Sequence, residues 1–297
     1  MALWSRREWL SKAGMGVAAL SLAPALIAEE PHVPNHSRNN ISDEDEIALG
    51  EKFGAALEKE QPIATNPVID PYLNSLVRQL AAKSQRPNMP YKIKLINTMD
   101  VNACSIPGGT LYINRGLLEL VTSEDQLAAT LAHEIGHVVG RHAINQMMLT
   151  FQARALLKPV LDNLNKNNGV IQQIILKLGG AVAILAMLHF SREDEAQADL
   201  LGFYEVLRAG WDPHGFVKMF AMLEKVEKAS GGASIPFLSD HPPTPERLAA
   251  MKREITRVTI PSDARTDSMS FHACKGAIHF LPEPPKPHKR QAEEKPQ

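Results

Sequence analysis

The feature that most constrains this chain is the stretch L-A-H-E-I-G-H-V-V-G-R-H at residues 131–142. Within it, His133, Glu134 and His137 form an H-E-x-x-H pattern. Residues four apart on an α-helix stand about 40° from one another around the axis, so His133 and His137 project from one face. Two neutral imidazoles held in that way can grip one zinc ion from a single rigid element. Glu134, one residue along, can reach a water on that ion without binding it.

The context supports a buried helix. Ser123 followed by Gln126 predicts a capping box at its start. Leu127, Leu131, Ile135 and Val138 then make an apolar stripe at helical spacing. A glutamate and two histidines on such a helix need partners, because unpaired buried ionisable groups are costly. A satisfied structural histidine pair would meet that need, and so would a metal. Metal binding lowers the pKa of a bound water toward about 7, and a neighbouring carboxylate can take its proton as it attacks a carbonyl. The pattern therefore points to zinc-assisted hydrolysis of peptide bonds.

Composition narrows the alternatives. The 297 residues carry a formal net charge of -1 and are 44% hydrophobic, which suits one or two globular domains with a real core. The balanced charge gives no sign of nucleic-acid binding, and 5% aromatic content argues against a base-stacking platform. Cys104 and Cys274 have no C-x-x-C partner, so the zinc must be held by histidine and carboxylate. Whether these two thiols pair stays open at this point.

The N-terminus reads as an export signal spanning residues 1–28. Arg6, Arg7 and Lys12 precede a short apolar run at 13–27, and cleavage after Ala25 or Ala28 fits. The segment S-R-R-E-W-L-S-K at 5–12 resembles a twin-arginine signal. That predicts a periplasmic protein, with an uncleaved inner-membrane anchor as the alternative. A flexible lead-in follows at 29–41.

Further along, Ser42 and the acidic residues 43–46 predict a helix to about residue 60. A second helix is expected over 67–83, with Tyr72, Leu73, Leu76, Val77 and Leu80 facing inward. Residues 91–97 alternate apolar and polar and read as a strand. Residues 102–114 hold a Pro-Gly-Gly turn running into another strand, and a short helix follows at 116–121. A small sheet beside the H-E-x-x-H helix could offer an edge to an extended peptide, which makes Pro107, Gly108 and Gly109 the expected substrate-binding turn. A plain structural hairpin explains the same residues. Residues 150–168 are expected to be helical. The most apolar interior stretch, 170–190, is interrupted and falls short of the roughly 20 residues that a membrane span needs. It suits a buried or membrane-facing helix, which keeps peripheral membrane association open.

Two ligands on one helix need a third elsewhere, with one position left open. A histidine six residues after His137 would sit at position 143, which is Ala143. His142 is one residue early, and on a continuous helix it would lie about 180° from His133, so it is excluded as a ligand. The best source is S-R-E-D-E-A-Q-A-D at 191–199. Glu195 and Asp199 share a helix face, and small Ala196 and Ala198 would allow a second helix close. Glu195 could bind the metal while Asp199 accepts a hydrogen bond from the far nitrogen of a bound histidine. Glu193 and Asp194 read as a solvated face.

Over residues 42–251 the chain resembles the HtpX-like and BepA-like gluzincin metallopeptidases, which include the CAAX prenyl proteases. The resemblance rests on Asn102-Ala103 with Pro107-Gly108-Gly109, on H-E-I-G-H, on S-R-x-x-E-x-x-A-D at 191–199, and on H-P-P-T-P-E-R at 241–247. It implies His133, His137 and Glu195 as ligands of one zinc ion, Glu134 as general base, and Asp199 as support. It also implies roles for His241, as a donor to the oxyanion or a cap on the zinc, and for Arg247, as a partner of the carboxylates. The implied fold is α+β and mainly helical, a zincin-like domain over 42–255 with a small mixed sheet beside the H-E-x-x-H helix. A C-terminal extension at 256–280, expected to add a strand or two, and a disordered tail at 281–297 complete the expected layout. The sequence shows neither the multiple transmembrane segments nor the helical-repeat domain of some of these relatives, so a stand-alone peptidase is expected. The implied activity is zinc-dependent endopeptidase cleavage of misfolded or damaged envelope proteins. A periplasmic chaperone or assembly factor with latent or absent protease activity is the alternative.

Overall fold

A computed structural model describes residues 41–167, 169–231 and 235–285. The expected export signal at 1–28, the lead-in up to residue 40 and the tail beyond residue 285 lie outside the described residues.

Helix α1 (Asp43–Glu60) opens as its sequence predicts, with the Ser42 hydroxyl accepting from the Asp45 N–H. Strand β1 (Ile63–Ala64) leads to α2 (Ile69–Ala81), which buries Leu73, Leu76, Val77 and Leu80 and leaves Tyr72 partly exposed. Strands β2 (Lys92–Ile96), β3 (Ala103–Ser105) and β4 (Thr110–Asn114) complete a four-stranded sheet of order β1-β2-β4-β3. The β2–β4 pair is parallel and the two outer pairs are antiparallel, so the sheet is mixed, as expected. Every residue of β4 is buried, because both faces of the sheet are covered. Successive side chains on a strand point to opposite faces. Leu111 and Ile113 therefore enter one hydrophobic core with α2 and the H-E-x-x-H helix, and Tyr112 enters a second with α1.

Helix α3 (Arg115–Leu120) precedes α4 (Glu124–Val139), which carries H-E-x-x-H and is buried along its whole length. The expected capping box does not close. Asp125, held by the Lys218 ammonium, takes the Ser123 hydroxyl proton and the Gln126 N–H, while Gln126 Oε1 accepts from the Thr122 N–H. An acidic residue inside the first turn has displaced the serine from its capping role.

Two apolar predictions also change. The helix expected over 150–168 is instead α5 (His142–Ala153) followed by the short α6 (Leu157–Leu161), with Ala155 between them in the left-handed region at φ 55°. The stretch 170–190 divides into α7 (Val170–Lys177) and α8 (Ala181–Leu185), because Gly179 and Gly180 both turn at φ 95°. Ile171, Ile174, Ile175, Ala181 and Ile184 from these pieces fill the second core. Among the described residues, no helix is long and apolar enough to cross a membrane.

Helix α9 (Arg192–Arg208) begins at a capping box between Ser191 and Asp194. It packs across α4 at very close range. A Cβ on Gly136 would stand 2.5 Å from the Ala198 carbonyl oxygen, and one on Gly202 would meet the Ala132 carbonyl at 2.8 Å. Ala198 is one of the small residues expected at this crossing, whereas Ala196 is exposed and takes no part. Helices α10 (His214–Ala229), α11 (Pro236–Asp240), α12 (Pro245–Arg257) and α13 (Met269–Ile278) follow. Residues 269–278 form a helix rather than the expected strand. Ser268 caps it by accepting from the Phe271 N–H, and Phe271, Cys274, Ala277 and Ile278 form a helical stripe buried in the first core. Cys104 and Cys274 are both free thiols.

Candidate metal centre

The close crossing of α4 and α9 decides where the polar groups meet. Gly136 lies between His133 and His137, so the backbones approach beside the two imidazoles, and Glu195 on α9 reaches them. His133 Nε2 lies 3.1 Å from His137 Nε2, and the Glu195 carboxylate oxygens stand 3.5 and 3.4 Å from these two nitrogens. His241, just after α11, completes the group: its Nδ1 is 3.2 Å from His133 Nε2 and 2.9 Å from Glu195 Oε1. All four side chains are buried, and one potential ligand atom from each lies within 4.8 Å of the rest.

These distances test whether a metal fits. A tetrahedral ion bonded at about 2.1 Å holds its ligand atoms roughly 3.4 Å apart. The His133–His137, His133–His241 and histidine–Glu195 separations run from 2.9 to 3.5 Å, and the whole donor set lies within 4.8 Å. Glu134 Oε1 is also buried without a hydrogen-bond partner, a costly arrangement that a bound cation and its water would relieve. The donor set of three imidazoles and a carboxylate suits zinc chemistry.

The profile of peptidase family M48 matches residues 67–255, more than half of the chain. The chain belongs to peptidase family M48. Members of family M48 are metal-dependent peptidases, and the buried four-donor cluster has the chemistry such a metal needs. The beta-barrel assembly-enhancing protease of Escherichia coli (strain K12) is 28% identical to this M48 chain over 253 residues, covering 78% of the chain and 50% of the relative. Mitochondrial metalloendopeptidase OMA1 of Schizosaccharomyces pombe is 27% identical over 177 residues, covering 60% and 50%. Metalloprotease YcaL of Escherichia coli (strain K12) is 25% identical over 217 residues, covering 72% and 82%. The M48 chain spans about half the length of the beta-barrel assembly-enhancing proteases it matches.

Around the four donors of this M48 centre lies a second ring of polar contacts. Asp199, one turn beyond Glu195, accepts from His133 Nδ1 at 2.9 Å, which leaves His133 Nε2 turned into the cluster. Arg247, in the first turn of α12, grips Asp199 with Nε and a terminal nitrogen at 2.6 and 2.8 Å, and reaches Glu195 Oε2 at 2.7 Å. Its backbone is held by Thr244, which caps α12 by accepting from the Arg247 N–H.

Burial and charge oppose each other throughout. Burial pushes the Glu195 carboxyl up, yet His241, His137 and His133 outweigh it and hold the group well below the usual carboxylate range. Asp199 is likewise raised by burial but pulled down further by Arg247 and His133. Burial drives His137 below its ordinary value and keeps it neutral, the form that can bind a metal. Burial also lowers His241, but the Glu195 and Glu134 carboxylates overcome it and lift the group to about 9.

Several residues are placed where the sequence did not put them. Asp194 is not a solvated acid: it closes the capping box of α9 and lies 3.6 Å from His142 Nε2. His142 is outside the ligand cluster but not on the opposite face. Helix α4 stops at Val139, Arg141 turns in the left-handed region, and His142 folds back behind His137. Phe190 forms a wall that sequence reasoning missed, its ring 4.3 Å from that of His137 and 5.8 Å from that of His241. The only sequence signal for it was its place next to Ser191.

The expected substrate turn needs correction. Pro107, Gly108 and Gly109 are buried, with the turn pressed on α1: a Cβ on Gly50 would stand 1.9 Å from the Pro107 carbonyl oxygen, and the Gly108 N–H faces Glu46. The turn aligns the hairpin against α1. The sheet edge itself is β3, which borders α4, and its approach is partly covered. The Phe237 N–H donates to the Val101 carbonyl at 3.2 Å, and Asn102 bonds the Asp240 side chain.

Proposed function

We propose that this chain is a zinc-dependent endopeptidase of the bacterial periplasm that cleaves misfolded or damaged envelope proteins. We further propose that the conformation described is its closed form. The single observation that carries the reading is the convergence of His133, His137, Glu195 and His241 into one buried group. Zinc, when bound, supplies polarisation of the scissile carbonyl and a water of lowered pKa. The chain does the rest. His133 and His137 present Nε2 lone pairs, fixed from behind by their outer contacts, and Glu195 adds the charge. Glu134, with one oxygen free of any hydrogen bond, takes the proton of the attacking water and hands it to the leaving amine.

His241 is better suited to capping the metal than to meeting an oxyanion, because its Nδ1 points at Glu195 and His133. It stands where a substrate carbonyl would enter, and α11 beside it lies over the approach to β3. Opening would need residues 235–241 to withdraw, which frees the fourth metal position and the strand edge together. An extended segment of an unfolded protein can then pair with β3 through its backbone, a mode that tolerates many side chains. The name of the relatives in Escherichia coli ties assembly of beta-barrels to proteolysis. That name and the closed site favour a second reading, an assembly factor whose protease activity is latent.

Casein cleavage with and without a chelator, in wild type and Glu134→Gln, tests the first reading. Cleavage that needs zinc and is lost in Glu134→Gln, with zinc still bound, is the expected result. Client binding that survives chelation, with no cleavage in wild type or His241→Ala, would favour the assembly factor.

A further inference from the structure

The two histidines on α4 are supported in different ways, and only one support was expected. His133 donates to a carboxylate. The far nitrogen of His137 meets another imidazole, with Nδ1 of His142 at 2.9 Å from Nδ1 of His137. On the other side of the His142 ring, Nε2 faces two oxygens, Gln197 Oε1 at 2.7 Å and Asp194 Oδ1 at 3.6 Å. Both are acceptors, so the single proton of neutral His142 sits on Nε2 and its Nδ1 is a bare lone pair. The only bond that lone pair can make with His137 is to receive its Nδ1 proton. That leaves the His137 Nε2 lone pair directed at the four-donor cluster.

The backbone is arranged for this contact. Arg141 sits in the left-handed region at φ 57°, a conformation that is strained for a non-glycine residue. Its side chain is tied to the Ile41 carbonyl at 2.6 Å and to Glu46 at 3.1 Å, which holds the turn. The turn brings His142 back over residue 140, where there is no room for a side chain. A Cβ on Gly140 would stand 2.3 Å from His142 Nε2. His142 itself is only 3% exposed.

We propose that His142 is a positioning residue for the metal centre, fixing the tautomer and ring orientation of His137 through a His137–His142–Gln197 hydrogen-bond relay. This rests on the metal-centre reading above. The relay differs from Arg247–Asp199–His133 in the group that meets the ligand. One ligand imidazole is backed by a carboxylate, the other by a neutral ring.

The test is zinc affinity, measured by competition with a chromophoric chelator on wild type, His142→Leu, His142→Asn and Gln197→Leu. Removing an outer contact of a metal ligand weakens binding by about 10- to 100-fold. His142→Leu keeps the volume but has no acceptor and is expected to lose that much. His142→Asn can present an oxygen near the position of Nδ1 and should recover most of the affinity, which packing alone would not predict. Gln197→Leu, at a half-buried position, should lose several-fold. Wild-type affinity in His142→Leu would overturn the relay, and so would a His142→Asn as weak as His142→Leu. Should His142→Leu fail to fold, unchanged affinity in Gln197→Leu would overturn it too. A wild-type protein that takes up no zinc would sink the metal-centre reading itself, an outcome distinct from equal affinity in all four proteins.

Discussion

His133, His137 and Glu195 stand on α4 and α9, whose backbones touch at Gly136 and Ala198. His241 instead follows the five-residue α11 and precedes a Pro-rich turn. The three helical donors cannot separate without breaking the close crossing and two outer hydrogen-bond systems. The fourth donor is held by the α11–α12 connection and by the cluster itself. The difference teaches how the proposed centre divides its work: helix packing fixes three donors, and a loop carries the fourth.

That contrast can be broken at several points. The largest effect should come from Glu195→Gln, which removes the one carboxylate of the four-donor cluster while keeping its shape. Zinc affinity should fall by more than the roughly 100-fold upper range for an outer contact, and a variant that keeps wild-type affinity would remove α9 from the grip. Asp199→Ala comes next. It strips His133 of its acceptor and takes two of the buried Arg247 guanidinium's hydrogen bonds, leaving it Glu195 and the Pro242 carbonyl, so an affinity loss of about 10- to 100-fold is expected, together with a lower melting temperature. Gly136→Ala pushes a methyl into the Ala198 carbonyl and should cost about 1–3 kcal/mol by overpacking, read by chemical denaturation. An unchanged midpoint would mean that the crossing has slack.

The loop side should respond least in binding and in the opposite sense in turnover. His241→Ala is expected to lower zinc affinity by only a few-fold while raising casein cleavage, since it vacates the position a substrate needs. Equal or lower cleavage would instead assign His241 to the reaction.

The two sides also titrate in opposite directions in the metal-free protein. His137 and His142 have folded pKa values below their ordinary value, so the unfolded chain binds more protons. Their contribution is present above about pH 6.5 and is lost as the pH falls through the acidic side of that value. His241 has a folded pKa of about 9, above its ordinary value, so its contribution is present below about pH 6.5 and fades as the pH rises toward 9. Thermal unfolding of chelated wild type should therefore peak near pH 6.5 and decline on both sides. The alkaline decline should be absent in His241→Ala, and its persistence there would assign it to other groups.

Much of the centre was legible in the chain because its parts are local. Helical spacing alone puts His133 and His137 on one face, and Glu195 and Asp199 on another, and Ser42 announces its own helix. The small mixed sheet and the mainly helical build were likewise carried by alternation, turns and apolar stripes. Some misses were local, such as the breaks at Ala155 and at Gly179 and Gly180, and others depended on a group distant in sequence. Lys218 holds Asp125 and undoes a capping box that residues 123–126 would otherwise close. Residues 269–278 become a helix because their stripe finds the first core. Pro107, Gly108 and Gly109, expected at a substrate, are buried because α1 lies on them.

What the sequence by itself determined is the chemistry and its local geometry, because side-chain type and helical period do not need a partner to be read. What only the tertiary structure decided is which groups meet: His241 closing the cluster, Phe190 lining it, and His142 turned back behind His137 by one left-handed residue. A single backbone dihedral at Arg141 redirects the chain after α4, and its conformation is stabilised by Ile41 and Glu46, about a hundred positions earlier. Contacts over that span are set by packing, not by period.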